Sequence, residues 1–582
     1  MEENQIITKE ILEGDTTLGI TGSPSNTISV AMDVVQSSRH GSLLGQMVYF
    51  IVDEGESRIA VVGQVVSIET RNRWHEDSAF KGVIRLHGSL PHLSGEADNR
   101  IATISVQSSY RIDSDTASSF RVSNSPSSGV QVKKMSNDSM SALMRQYDHQ
   151  LTYLGTVYGT DVNMPLWFRH FGDGDGGAGD AHHIAVFGKS GSGKSVTAAY
   201  MLRGFCKNSQ EMSILFLDPQ RQFFLDKDLP FSFKTEVESL GMKHESYELL
   251  KDVFLPGTEF QLLASMLRKK GLMRNVLKIF SDEKNDYAEL AFSEILEDFY
   301  IETGKTRGDL NKCSIEASKT LFRHTLKKLG EDDSKYAKLI YSSGAYLNRV
   351  IETASNLVKD ENAVALQSAF EKYWQPVATY FMNTDGNKVT LNSIIKKITQ
   401  EKGNFVVVDI SANSERLGNE NIQAMFVRLI EERIKYEGEK AYEDNEKLNC
   451  LIVMDEAHRF ISSDSSDPQI KELTKEIIDS VRTTRKYGIG YMFITQTIES
   501  LDEEILRQTR IFAFGYGLTL GSEIRVIQNL VNNKEAVDLY KTFIDPSSTK
   551  AYPFMFYGSV SPLSFTGSPL FVEVYNDPAQ FR

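Results

Sequence analysis

The chain has 582 residues, 41% hydrophobic and 24% charged, a balance that suits a soluble protein of several domains with a large core. Its net charge of −14 excludes a protein that grips nucleic acid over its whole surface, so DNA contact is confined to a basic strip or channel. Three scattered cysteines (Cys206, Cys313, Cys450) exclude a disulfide framework and suit a reducing cytoplasm, the polar start Met1-Glu2-Glu3 reads as no signal peptide, and no apolar run can span a membrane.

From about residue 16 to 111 the pattern is one of short strands. Ile28, Val30 and Met32 alternate with polar residues, stretches 47–52 and 59–68 are rich in β-branched residues, and 101–106 adds another candidate. Gly, Ser, Asn and Pro clusters separate them, which predicts a small β-barrel or sandwich over residues 1–122. It carries no catalytic constellation and reads as an assembly module or a structural cap. The run Ser123-Asn124-Ser125-Pro126 opens a linker and lead-in region, 123–181, with a short helix near 139–149 and strand-like 154–158 and 164–168. Gly174, Gly176 and Gly179 fit G-x-G-x-x-G, but the run precedes a strand instead of following one. It also lacks the third ligand and the terminal Glu of a calcium loop, and reads as a surface loop.

The sequence then reaches His182-His183-Ile184-Ala185-Val186-Phe187-Gly188-Lys189-Ser190-Gly191-Ser192-Gly193-Lys194-Ser195. This is an apolar strand, a glycine-rich turn and the start of a helix, with Gly188, Gly193, Lys194 and Ser195 at the places of G-x-x-x-x-G-K-[ST]. Such a turn aims successive N–H groups of Gly188 to Val196 at phosphate oxygens, and the helix N-terminus adds partial positive charge. Lys194 reaches the β- and γ-phosphates, and the Ser195 hydroxyl ligates Mg²⁺. A second strand, 213–217, closes at Asp218-Pro219. These residues, 182–236, are the first part of a nucleotide-binding core.

Over residues 237–400 the pattern turns helical. Ala288, Phe292, Ile295, Leu296 and Phe299 share one face, Leu366, Phe370, Tyr373 and Trp374 another, and Pro376 interrupts that second helix. Asp286 and Glu289 have the spacing of an N-cap and its partner. The region reads as a helical bundle inserted into the core. The α/β alternation resumes over 401–546, predicting a parallel sheet with helices on both faces. A strap, 547–582, ends the chain.

The other half of the site is Leu451-Ile452-Val453-Met454-Asp455-Glu456, a buried strand tipped by two carboxylates. Asp455 at such a tip holds the Mg²⁺ shell, and Glu456 polarises the attacking water as a general base. Gln496, at the end of strand 491–495, is placed to sense the γ-phosphate or orient water. Phosphoryl transfer also draws on a cation at the developing charge, and Arg482, Arg485 and Lys486 are the candidates. Too few residues follow Asp455 for a second nucleotide-binding domain. The cation therefore comes from a neighbouring copy, in a ring with shared sites. The same count sets aside the superfamily 2 helicases, whose signature Asp455-Glu456-Ala457-His458 also spells.

These motifs, with a barrel before them and a bundle between them, resemble the HerA-type hexameric translocase ATPases of the HerA–FtsK group over nearly the whole chain. The resemblance implies an α/β RecA-like P-loop core with a HAS-barrel-like N-terminal domain. It implies catalytic roles for Lys194, Glu456, Gln496 and, as trans-acting arginine finger, Arg485. It further implies ATP and Mg²⁺ as cofactors, a homo-hexamer, duplex DNA in the pore and an effector docked on the barrel. The effector is a nuclease or a sirtuin-type NAD-degrading enzyme in bacterial anti-phage defence, or a NurA-type nuclease in archaeal end resection. The acidic composition points to the bacterial kind. Two positions depart from the family: His182 stands where members often carry Arg, and Gln220-Arg221-Gln222 stands where they often carry Gly-Glu. DNA-contacting cations are sought in Arg221, or in Arg268, Lys269, Lys270 and Arg274, although the second run reads better as a solvated helix face. The alternative to a motor is a nucleotide-stabilised scaffold that clusters and activates the effector without translocation.

Overall fold

A computed structural model describes Leu12 and residues 14–575, apart from 114–115, 175, 209–210, 384–385, 412–419, 463–464, 466, 550 and 566. Seven strands form the N-terminal sheet: β1 (Thr17–Thr21), β2 (Ser29–Val34), β3 (Met47–Glu54), β4 (Ser57–Arg71), β5 (Asn99–Ile112), β6 (Ala117–Ser119) and β7 (Gln131–Lys134). Their order is β2-β1-β7-β3-β4-β5-β6, and β2 also pairs with β5, so six strands close into a barrel and β6 extends from β5. Side chains alternate across each strand, so Val48 and Phe50 of β3 fill the barrel while Met47 and Tyr49 pack against the rest of the chain.

Two features differ from the sequence reading. β4 and β5 are 15 and 14 residues long rather than short, and between them the chain forms the helices Arg73–Glu76 and Ser78–His87. The expected linker at 123–129 is a loop of the barrel itself, because β7 follows it and pairs with β1 and β3. Its ends are tied down: the N–H groups of Ser123 and Asn124 donate to Glu54, and the N–H of Gly129 donates to the Thr21 carbonyl.

The remaining strands are β8 (Gly155–Val157), β9 (Ile184–Phe187), β10 (Ser213–Asp218), β11 (Lys243–Glu248), β12 (Val253–Phe254), β13 (Val389–Thr390), β14 (Asn404–Asp409), β15 (Cys450–Met454), β16 (Ile489–Thr495), β17 (Ile511–Gly515), β18 (Tyr552–Gly558) and β19 (Leu570–Val574). Ten of them form one sheet in the order β11-β14-β10-β15-β16-β9-β17-β18-β19-β8. The run from β11 to β17 is parallel, and β18, β19 and β8 are antiparallel. The central strands are buried on both faces, which is why they read as unbroken apolar runs. The stretch 164–168 is no strand; Leu166 makes an isolated bridge to Thr152.

The expectation of helix throughout 237–400 is corrected at its start, where β11 forms the edge of the main sheet. The helical insertion lies between β12 and β13. Its helix Asp282–Glu302 buries Ala288, Phe292, Ile295 and Leu296. Ser281 stands at the N-cap of that helix, so Asp286 is not a cap; Asp286 and Glu289 both pair with Arg268 instead. Pro376 does not end the second helix. The chain widens to a π-turn over Phe370–Trp374, and Pro376 falls in the first turn of Gln375–Ala378, where a missing N–H is tolerated.

Candidate active site

β9 ends at Phe187, and the chain turns through residues 188–193 into the helix Lys194–Asn208. Gly193 is required twice over: its φ is +87°, and a Cβ there would overlap the Tyr552 ring of β18. A Cβ at Gly188 would overlap the Ser192 hydroxyl. Lys194 Nζ donates to the Lys189 carbonyl at 3.2 Å, and burial holds its pKa below the usual lysine value.

Strand order explains how distant motifs meet. β16 lies between β9 and β15, and all three are parallel, so their C-terminal ends emerge side by side. The phosphate loop follows β9, Gln496 follows β16, and Asp455 and Glu456 follow β15. Ligands of open parallel sheets bind at this end. A cavity of about 270 Å³ opens there, lined among others by Lys194, Ser195, Asp455, Glu456, Gln496 and Gln220.

Asp455 is 4% exposed. Its Oδ1 accepts the Glu456 N–H at 2.9 Å, and its Oδ2 is buried without a hydrogen-bond partner. Burial, and then the charges of Glu456 and Asp218, push its pKa up to about 7. A divalent cation fits this orphaned oxygen, with the Ser195 hydroxyl lining the same cavity. Glu456 adopts a left-handed backbone, φ +47° and ψ +46°. This left-handed conformation costs a non-glycine residue about 1–2 kcal/mol. Its carboxylate accepts from Gln496 Nε2 at 3.1 Å and Gln220 Nε2 at 2.8 Å, and lies 3.2 Å from His458 Nδ1.

Of the residues the sequence assigned to phosphate binding, Ser190, Gly191, Gly193, Lys194, Ser195 and Val196 line the cavity. Gly188 and Ser192 back the loop. The Lys189 side chain turns away to pair with Glu523 at 2.9 Å, so only its backbone belongs to the site. Arg485 is not brought to this cavity. It precedes β16, at the opposite end of the sheet, and its Nε donates to the Ala181 carbonyl at 3.3 Å. Arg482 pairs with Glu504, and Lys486 lies over the Tyr442 and Tyr487 rings. Arg221 pairs with Asp409 at 2.9 Å, and Arg268 is engaged by Asp286 and Glu289, so neither offers a free cation.

Gln220, His458 and Tyr552 were missed in the sequence. Gln220 follows Asp218-Pro219, but only the adjacency of β10 and β15 brings it to Glu456. The two histidines before β9 are structural. His183 Nε2 donates to the Val481 carbonyl and its Nδ1 accepts the Tyr491 N–H, a neutral ring that locks β9 to β16. His182 is pushed down to about 3 by burial and by Arg510, Arg169 and Arg485.

The family model described as "Helicase HerA, central domain" matches residues 181–434, from the phosphate loop through the inserted bundle. The chain is 22% identical over 386 residues to the DNA double-strand break repair helicase HerA of Sulfolobus acidocaldarius. It is 22% identical over 393 residues to that of Saccharolobus solfataricus. Each alignment takes in 66% of this chain and 62% of the relative, so the chain spans less than two thirds of the curated relatives it matches. Among solved structures, VirB4 of Thermoanaerobacter pseudethanolicus is 18% identical, with 74% of this chain and 97% of that one covered and a TM-score of 0.37. The bacterial conjugative coupling protein TrwBdeltaN70 is 12% identical, with 77% and 93% covered and a TM-score of 0.39. Over residues 181–434 the chain is similar to the central domain of HerA helicases, and its strand order carries Asp455, Glu456 and Gln496 to the rim of the phosphate loop.

Proposed function

We propose that this chain hydrolyses ATP as one subunit of a homo-oligomeric ring, a hexamer, that drives duplex DNA through its centre in the cytoplasm. The observation that carries the reading is the Glu456 carboxylate held at the lip of the phosphate cavity beside Lys194 and Gln496. In this site the backbone of residues 188–196 binds the phosphates, and Lys194 adds the charge that draws the γ-phosphate in. Glu456 takes a proton from water, the water oxygen bonds to the γ-phosphorus, and the bond to the bridging oxygen of ADP breaks. Gln496 orients that water. Ser195 and Asp455 would hold Mg²⁺, which when bound neutralises charge on the β- and γ-oxygens. Among the described residues no helix is long and apolar enough to cross a membrane.

DNA as the substrate is supported by the likeness to two DNA double-strand break repair helicases. The barrel is the surface on which an effector docks, a nuclease or a sirtuin-type NAD-degrading enzyme acting in anti-phage defence. One observation also favours the scaffold reading, in which nucleotide binding alone switches the effector. Tyr552 lines the cavity, and the strap that it begins is bonded to the barrel through Tyr110 Oη to the Pro562 carbonyl (2.9 Å) and Ser568 Oγ to the Val106 carbonyl (2.8 Å). Glu456→Gln separates the two. It is expected to abolish ATP turnover and leave nucleotide binding intact. Loss of DNA translocation and of effector output together supports the motor; effector output that survives supports the scaffold. Unchanged ATP hydrolysis in Glu456→Gln would overturn the reading of the site.

A further inference from the structure

Glu456 is gripped from both sides. Its Oε1 accepts Gln220 Nε2–H at 2.8 Å and Gln496 Nε2–H at 3.1 Å, and its Oε2 lies 3.2 Å from His458 Nδ1. A carboxylate oxygen has two lone pairs, so two amide donors fill Oε1. With the imidazole against Oε2, most of the carboxylate's accepting positions are engaged, and Oε1 is closed to water.

The two glutamines come from the strands that flank β15. Gln496 follows β16 and Gln220 follows β10, one on each side. The loop carrying Gln220 is anchored at several points. Asp218 is buried, and its carboxylate accepts the N–H groups of Gln220 at 3.0 Å and Phe224 at 2.9 Å. Arg221 takes a left-handed backbone, φ +64°, pairs with Asp409 at the end of β14, and lies over the Phe224 ring. The backbone at Gln220 is thus fixed, while its side chain is exposed and reaches across to Glu456.

We propose that Gln220 is a positioning residue for Glu456: with Gln496 it forms a clamp that occupies Oε1 and makes the carboxylate a poorer acceptor of the water proton, and the clamp opens before hydrolysis. The proposal rests on the reading of Glu456 as general base. A γ-phosphate in the cavity competes for Gln496, and the Gln220 bond then sets how readily Glu456 is released. Gln220 lines the cavity, but its side-chain bond is to Glu456, so on this proposal its loss changes turnover more than affinity.

The test is steady-state ATP hydrolysis by the full chain, without DNA, for wild type, Gln220→Ala, Glu456→Gln and the double variant. Gln220→Ala is expected to raise kcat about threefold to tenfold, the worth of one ordinary net hydrogen bond, with KM within about twofold of wild type. The double variant is expected to be as inactive as Glu456→Gln, because the gain runs through Glu456. A kcat for Gln220→Ala at or below wild type, while Glu456→Gln is inactive, would overturn the clamp and leave the ATPase reading standing. A gain that persists in the double variant overturns it as well. Hydrolysis that survives Glu456→Gln alone removes the ATPase reading, and the clamp with it.

Discussion

Glu431 lies on the helix Glu420–Glu443 with 1% of its surface exposed, and its Oε2 accepts the Tyr491 hydroxyl at 2.7 Å. Burial pushes its pKa up to about 7, with Glu476 raising it further and the Tyr491 bond and Lys435 opposing. The folded value therefore exceeds the unfolded value of 4.5. Such a group favours the folded state fully below the unfolded pKa, and that contribution is lost as pH rises through about 7. Glu431→Gln removes the charge and keeps an acceptor for Tyr491. It is expected to raise the thermal midpoint at pH 8, by the equivalent of about 3 kcal/mol at most, and to change little at pH 5. Scanning calorimetry at the two pH values checks this; an equal shift at both would refute it. At Gly193 the constraint is steric. Gly193→Ala places a Cβ in the Tyr552 ring at φ +87°. It is expected to weaken binding of a fluorescent ATP analogue at least about tenfold, with circular dichroism unchanged, because the strain falls on the loop and not on the core.

At the scale of elements, the strap matters most. β18 pairs with β17 and β19, and β19 pairs with β8, so these strands finish the sheet beyond its parallel part. Phe554, Met555, Phe556, Leu570, Phe571 and Val572 are fully buried there. Deleting residues from 551 onward bares the edge of β17 and the apolar surface those residues cover, and an unpaired edge templates association. The truncated chain is expected to aggregate on expression, whereas Tyr552→Ala stays in solution and loses only nucleotide affinity; soluble yield and light scattering decide. Elements with a local signature were legible in the sequence. The glycine spacing at 188–193 sets a turn regardless of context, and the unbroken apolar run before Asp455 needs no partner to read as a buried strand. Contacts made by strand order were not legible. Gln220 meets Glu456 across 236 residues, and Lys189 is drawn away by Glu523 from 334 residues along the chain. β7 lies beyond a Ser/Pro run that looks like a linker, because barrel closure and not local composition places it.

For the whole molecule, the decisive fact is where the cations are not. Among the described residues of one chain, only Lys194 brings a positive charge to the lining of the phosphate cavity. Arg485 stands before β16, with the seven residues of that strand, about 20 Å, between it and the C-terminal end of the sheet. Among the described residues it has no carboxylate partner, whereas Arg482 is paired with Glu504 and Lys486 is laid over two tyrosines. A guanidinium left without an anion and turned away from its own site suits the site of a neighbour. A heterologous ring contact sets the far end of one subunit against the near end of the next and repeats that contact at every interface. If so, two differently damaged subunits can mend each other. Lys194→Ala lacks a competent phosphate loop and keeps the arginine; Arg485→Ala keeps the loop and lacks the arginine. Each alone is expected to hydrolyse ATP at a few per cent of wild type or less. Mixed in equal amounts and allowed to exchange, about a quarter of interfaces join the intact loop of one to the intact arginine of the other. Activity near that fraction, absent when the two are assayed apart, is the expected result. Mixed rings that contain both variants by mass spectrometry and still show no recovery would place the cation elsewhere.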